Sequence, residues 1–75
     1  MSDNVNKAIE LLQNICKEHD LNWKDFDGRN ISSIGGWDSM VQLFLVLEVE
    51  SIIGKELPVG LGSDLKTIDD LSDIF

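Results

Sequence analysis

The sequence predicts a small all-α bundle, and three features carry that prediction. Apolar residues recur at three- and four-residue spacing near the N-terminus, a second apolar stretch runs from Met40 to Ile53, and a third follows Thr67. Turn-forming residues separate the three stretches. With 75 residues and no repeat or linker, the chain fits one domain, residues 1–75.

The first stretch predicts an amphipathic helix from about residue 3 to residue 19. Ser2 or Asp3 can cap its start. His19 is expected to interact with the last carbonyls of this helix. Its apolar stripe consists of Val5, Ala8, Ile9, Leu12, Ile15 and Cys16. Cys16 is expected to be a buried, unreactive thiol, because buried free cysteine behaves as a small hydrophobe.

Residues 20–37 form a long polar connection, and loops of this length are often functional. Its apolar residues, which we expect to pack on the helices, are Leu21, Trp23, Phe26, Ile31 and Ile34. The segment 25–28 invites comparison with a calcium-binding loop. With Gly28 at loop position six, Trp23 and Ile34 occupy the first and last ligand positions, where carboxylates are needed. The sequence therefore excludes an EF-hand.

The second helix follows a Gly35-Gly36 break and starts at Asp38 or Ser39. It ends at Gly54, a typical C-terminal stop. Its residues are apolar almost all round, which favours a helix that is central in the bundle or meets a partner on its exposed face.

The last part of the chain predicts one short helix and one principal helix. Pro58 prevents continuation of the second helix, and residues 59–64 can hold one short helical turn. Thr67 is a candidate cap, with Asp70 as the acid of a capping box. The expected buried stripe is Ile68, Leu71, Ile74 and Phe75. The predicted fold is a four-helix bundle of three principal helices and one short helix.

Charge and composition limit the classes of function. Fourteen acidic and six basic residues give a net charge of −8, which excludes nucleic acid as a partner and favours basic docking surfaces. The apolar run from Met40 to Leu47 is too short to span a membrane. One cysteine and one histidine provide no disulfide and no metal-ligand cluster. We expect a cytoplasmic monomer that binds no metal and is not an enzyme.

The motif that can take part in chemistry is Trp-Asp-Ser-Met, at the start of the second helix. Gly35-Gly36 precedes it, Gly-Lys-Glu-Leu-Pro58 follows the helix, and Lys-Thr-Ile-Asp-Asp-Leu comes later. In this combination the chain resembles the acyl and peptidyl carrier protein family, over essentially its whole length. The resemblance is most specific between Gly35 and Leu71, and it implies a bundle of acyl-carrier type.

The resemblance also implies roles for individual residues. Ser39 would be the attachment site of 4′-phosphopantetheine, a covalent cofactor derived from coenzyme A, and Asp38 would be the motif acid that assists recognition by the transferase. The implied partner-facing residues of the second helix are Met40, Leu43, Phe44, Leu47 and Glu50. The implied partners are a phosphopantetheinyl transferase, an acyl- or aminoacyl-loading enzyme, and downstream synthases or transferases.

Three departures from the family pattern bear on the pathway. Met40 replaces the usual leucine, Trp37 stands where carriers of primary fatty acid synthesis have a small residue, and Phe44 replaces a usual glutamate. These residues favour a discrete acyl carrier of a specialised polyketide, nonribosomal peptide or modified-lipid pathway. A peptidyl carrier remains an alternative. An unmodified helical interaction module is the alternative from another class, in which Ser39 is an ordinary helix cap.

Overall fold

The computed structural model describes residues 3–58 and 60–75, and within them the chain is a compact all-α bundle without a strand. The predicted fold class is confirmed. Ser2, the alternative first cap, and Val59 lie outside the described residues. The four helices are α1 (Asp3–His19), α2 (Ser39–Ile53), α3 (Leu61–Asp64) and α4 (Ile68–Ser72).

Helix α1 has the predicted bounds and forms one wall of the core. Its fully buried residues are Ala8, Leu11, Leu12, Ile15 and Cys16. The predicted stripe included Val5 and Ile9, which are half-buried, and omitted Leu11. The buried face is wider on this side because α1 packs against both α2 and α4. Burial raises the pKa of the Cys16 thiol, as expected for a thiol within a core.

The connection between α1 and α2 contains two 3₁₀ helices, Trp23–Asp25 and Ile31–Ser33. Ile31 and Ile34 are buried, as predicted, while Leu21, Trp23 and Phe26 are half-buried against the core. Two backbone hydrogen bonds hold the connection against the start of α4. The N–H of Ile31 donates to Lys66 O (2.9 Å), and the N–H of Ile68 donates to Arg29 O (2.8 Å).

One turn inside this connection is organised by Asp27. Its carboxylate accepts the backbone N–H groups of Arg29 (2.8 Å) and Asn30 (2.7 Å) and the side-chain amide of Asn30. These hydrogen bonds lower the pKa of Asp27 because they stabilise the charged form. The segment compared above with a calcium-binding loop thus leads into a turn that the Asp27 side chain closes by hydrogen bonds to the backbone, as Asp commonly does.

Helix α2 packs against α1 and α3 and ends at Gly54, as predicted. Gly54 has a φ of 74°, in the left-handed region, and its N–H donates to Glu50 O. Only Val41, Leu45 and Val49 are fully buried along α2. Val46 and Ile53 pack against the core, whereas Met40, Leu43, Phe44, Leu47 and Ile52 are left exposed.

Helix α4 is capped as predicted but is shorter than expected. The Thr67 side chain accepts from the N–H of Asp70, and the Asp70 carboxylate accepts from the N–H of Thr67, which completes a capping box. The helix has five residues, and Ile74 and Phe75 follow its end as half-buried contacts. The bundle accordingly has two long and two short helices, whereas three principal helices were expected.

Candidate functional site

Ser39 is exposed at the first position of α2. The preceding residue, Asp38, is the N-cap, and its Oδ1 accepts from the N–H of Val41 at 2.9 Å. The sequence left open whether Asp38 or Ser39 starts this helix, and the structure assigns the cap to Asp38. The reading of Ser39 as the ordinary cap is therefore wrong, and the Ser39 hydroxyl is not required for that interaction.

The two glycines before Trp37 set the approach of the chain to α2. Gly36 has a φ of 88°, a backbone conformation that residues other than glycine rarely adopt. A Cβ at Gly35 would collide with Asp25 Oδ2, so the connection and the glycine turn are in close contact there. The N–H of Trp37 donates to Ile34 O at 3.1 Å and links the turn to a buried residue. The start of α2 therefore has a defined position above the core.

Trp37 and Gln42 join the start of α2 to α3. Trp37 Nε1 donates to Gln42 Oε1 at 2.8 Å, and Gln42 Nε2 donates to the carbonyl oxygens of Gly62 (2.8 Å) and Leu65 (3.0 Å). These contacts are partly buried. Sequence reasoning did not identify Gln42, because two of its three partners are backbone carbonyls that lie 20 and 23 residues further along the chain.

A groove of about 490 Å³ lies between α2 and the segment that contains α3, and Ser39 is one of the residues that line it. Leu43 and Val46 form its α2 wall, and Leu57 and Pro58 lie opposite. The lining is mainly apolar, with hydroxyl groups of Ser39 and Ser63 at its edge. An elongated apolar or amide-containing group attached near Ser39 could lie in this space.

The outer face of α2 is an exposed apolar patch. Met40 is 66%, Leu43 58% and Leu47 51% exposed, and Phe44 is 39% exposed. We call these four residues the α2 apolar face. A cluster of this kind is typical of an interaction site.

Two of the predicted partner-facing residues have intramolecular contacts as well. The Phe44 ring stacks on His19 with ring centroids 4.7 Å apart, a contact that the sequence did not suggest for His19. Glu50 is half-buried, and its Oε2 accepts from the N–H of Leu57 at 2.8 Å. Glu50 therefore orders the chain after α2, and a role in partner binding stays a prediction.

Within residues 3–58 and 60–75 there is no group of three or more His, Cys, Asp or Glu side chains that could hold a metal ion. Among the helices of the described part of the chain, none is both long and apolar enough to cross a membrane.

Comparisons with protein-family models, curated proteins and solved structures found no match for the chain.

Proposed function

We propose that the protein is a discrete carrier that holds acyl intermediates as thioesters on a 4′-phosphopantetheine arm attached to Ser39. The observation that carries the proposal is the division of roles at the start of α2. Asp38 caps the helix, and Ser39 is exposed beside an open groove, where its hydroxyl would act as the nucleophile. The proposal also rests on the motif set from Gly35 to Leu71, which resembles that of carrier proteins.

Attachment of the arm uses the Ser39 hydroxyl. Its oxygen forms a bond to the phosphorus next to pantetheine in coenzyme A, the pyrophosphate P–O bond breaks, and adenosine 3′,5′-bisphosphate leaves. A base of the transferase takes the serine proton. The new phosphodiester carries a negative charge at the N-terminal end of α2, where first-turn N–H groups and the helix dipole stabilise anions. When bound, the arm supplies a terminal thiol that holds the cargo as a thioester.

Partner enzymes would recognise the α2 apolar face together with the acidic surface. Burial of Met40, Leu43 and Leu47 would supply affinity, since each is at least half exposed in the free protein. The net charge of −8 would speed encounter with basic surfaces. The proposed partners are the transferase, a loading enzyme and downstream synthases, and the proposed setting is the cytosol.

We propose that the carrier serves a specialised pathway and not primary fatty acid synthesis. Phe44 makes the partner-facing side of α2 less acidic than a glutamate would. The stacking of its ring on His19 holds an apolar side chain in place at that position. Trp37 is bulky next to the modification site. A polyketide, nonribosomal peptide or modified-lipid system is consistent with these residues, and an aminoacyl cargo is the alternative within this class.

An unmodified interaction module is the second candidate, and the exposed α2 apolar face is the observation that favours it. Ser39→Ala separates the two functions, since the substitution leaves the apolar face intact. A carrier loses all cargo loading in this variant, whereas an interaction module keeps its partner.

In-gel labelling tests the proposal directly. The protein is incubated with a broad-specificity phosphopantetheinyl transferase and a fluorescent coenzyme A conjugate. Wild type and Ser51→Ala, which removes another exposed α2 hydroxyl, are expected to become fluorescent, and Ser39→Ala is expected to remain unlabelled. Equal labelling of wild type and Ser39→Ala would disprove the assigned site.

A further inference from the structure

Helix α3 has little stability of its own. It has four residues, Leu61–Asp64, and its N-cap Gly60 has a φ of 92° and provides no side-chain hydrogen bond. Helices this short do not persist in water without tertiary contacts. The contacts that hold α3 in place therefore determine the shape of the α2–α3 groove.

Gln42 supplies the polar part of these contacts. Both hydrogens of its amide are used, one toward Gly62 O and one toward Leu65 O. Its oxygen accepts from Trp37 Nε1, which fixes the direction in which the amide faces. Trp37 thus orients Gln42, and Gln42 binds a carbonyl within α3, at Gly62, and the carbonyl of its C-cap, Leu65.

Close packing supplies the apolar part. A Cβ at Gly62 would lie 2.7 Å from Val46 Cγ2, nearer than non-bonded atoms approach. The backbone of α3 therefore contacts α2 directly at this glycine. A small displacement of α3 would lose this contact and widen the groove.

We propose that Trp37 and Gln42 are positioning residues that hold α3 closed on α2, and that loss of the Gln42 donors lets residues 61–65 open as a unit. Ser39 and Gln42 line the same groove, so opening would enlarge the space beside Ser39. The consequence for a group attached to Ser39 rests on the proposed function, whereas the closure itself does not.

Amide hydrogen exchange measured by NMR on the unmodified protein tests the closure. Gln42→Glu keeps an acceptor for Trp37 but removes both donors to α3. Gln13→Glu, at an exposed position of α1, introduces the same charge and is the matched control. The indole N–H signal of Trp37 reports on the other half of the link, and that of Trp23, which stacks on Phe26, is the internal reference.

Gln42→Glu is expected to raise the exchange rates of the Ser63 and Leu65 amides at least about tenfold, since two hydrogen bonds are lost. The Leu12 amide in α1 should exchange as in wild type, and the control should change neither region. Gln42→Met removes the oxygen that accepts from Trp37 Nε1. It should therefore shift the indole N–H signal of Trp37 while leaving that of Trp23 in place. Unchanged exchange at Ser63 and Leu65, or an equal rise at Leu12, would overturn the proposal.

A steric route gives a second, independent test. Gly62→Ala should accelerate exchange in the same residues, because the new methyl group meets Val46. The double variant Gly62→Ala/Val46→Ala removes the contacting methyl groups and should restore slow exchange. Absence of this rescue would contradict closure through the α2–α3 contact. A protein that shows closure but is never modified on Ser39 would refute the proposed function alone.

Discussion

The Asp38 carboxylate caps α2 by accepting the N–H of Val41 at 2.9 Å, so that the residue before Ser39 satisfies the helix end. A serine that caps its own helix uses its hydroxyl in the fold, and derivatisation would then cost stability. Here the cap falls on Asp38, and the hydroxyl of Ser39, the proposed attachment site, takes no part in that interaction. Ser39 can be changed or modified without loss of the cap.

This division predicts unequal effects of two alanine substitutions. Asp38→Ala should lower the free energy of unfolding by about 1 kcal/mol, because the Val41 N–H loses its partner. Ser39→Ala should change it by less than about 0.5 kcal/mol, since alanine is favourable within a helix. Urea unfolding followed by circular dichroism measures both. A larger loss for Ser39→Ala would contradict the assignment of the cap.

Acid should weaken the fold through Asp27 and Asp70. Hydrogen bonds from the side-chain amide of Asn30 and from the backbone N–H groups of Asn30 and Arg29 hold the pKa of Asp27 below its ordinary value of 3.8. Hydrogen bonds from the backbone N–H groups of Lys66 and Thr67 lower the pKa of Asp70 in the same way. A carboxyl whose pKa is lower in the folded state stabilises the fold above about pH 4, and this stabilisation is lost as the pH falls through the folded pKa.

Thermal unfolding between pH 7 and pH 2.5 measures this effect. Asp27→Asn and Asp70→Asn should each flatten the acid decline of Tm relative to wild type. Asp73→Asn, which removes one charge at an exposed position after α4, is the control for net charge. An identical acid decline in all four proteins would show that these two carboxylates are not its source.

Self-repulsion should make the fold sensitive to salt. A net charge of −8 on 75 residues disfavours the compact state, and added salt shortens the range of the repulsion from about 30 Å at 0.01 M to about 10 Å at 0.1 M. We expect Tm to rise with NaCl over this range and to rise further with MgCl₂ at equal ionic strength. A fall in Tm on addition of salt would contradict the expectation.

Cys16 should react slowly with thiol reagents in the folded protein. The residue is 3% exposed, and burial raises the pKa of its thiol, which reduces both access and the thiolate fraction. A chromogenic disulfide reagent should modify it only after urea is added. Rapid reaction of the native protein at neutral pH would show that the α1 wall opens readily.

The long helices and their ends were predictable because their signals are local. The period of apolar residues gave the bounds of α1, and Gly54 and Thr67 were identified as a stop and a cap from residue type alone. The extra length expected for α4 was an error of the same local reasoning. Ile74 and Phe75 fit a helical stripe, but they pack against the core after the helix has ended.

The link through Gln42 could not be predicted from the sequence. Its partners are the indole of Trp37, five residues earlier, and two backbone carbonyls more than eighteen residues later, and backbone atoms leave no mark in residue identity. The stacking of His19 on Phe44 is similar, since it depends on how α1 and α2 cross. By contrast, Ser39 is a candidate from the sequence because several short motifs between Gly35 and Leu71 have the spacing seen in carrier proteins.

Intact mass spectrometry after incubation with coenzyme A and a phosphopantetheinyl transferase tests the central claim most directly. Wild type and Ser51→Ala should each gain the mass of one phosphopantetheine, peptide fragmentation should locate it on Ser39, and Ser39→Ala should gain none. A known carrier protein modified in the same reaction confirms that the transferase is active. No mass gain on folded wild type under those conditions would contradict the carrier function.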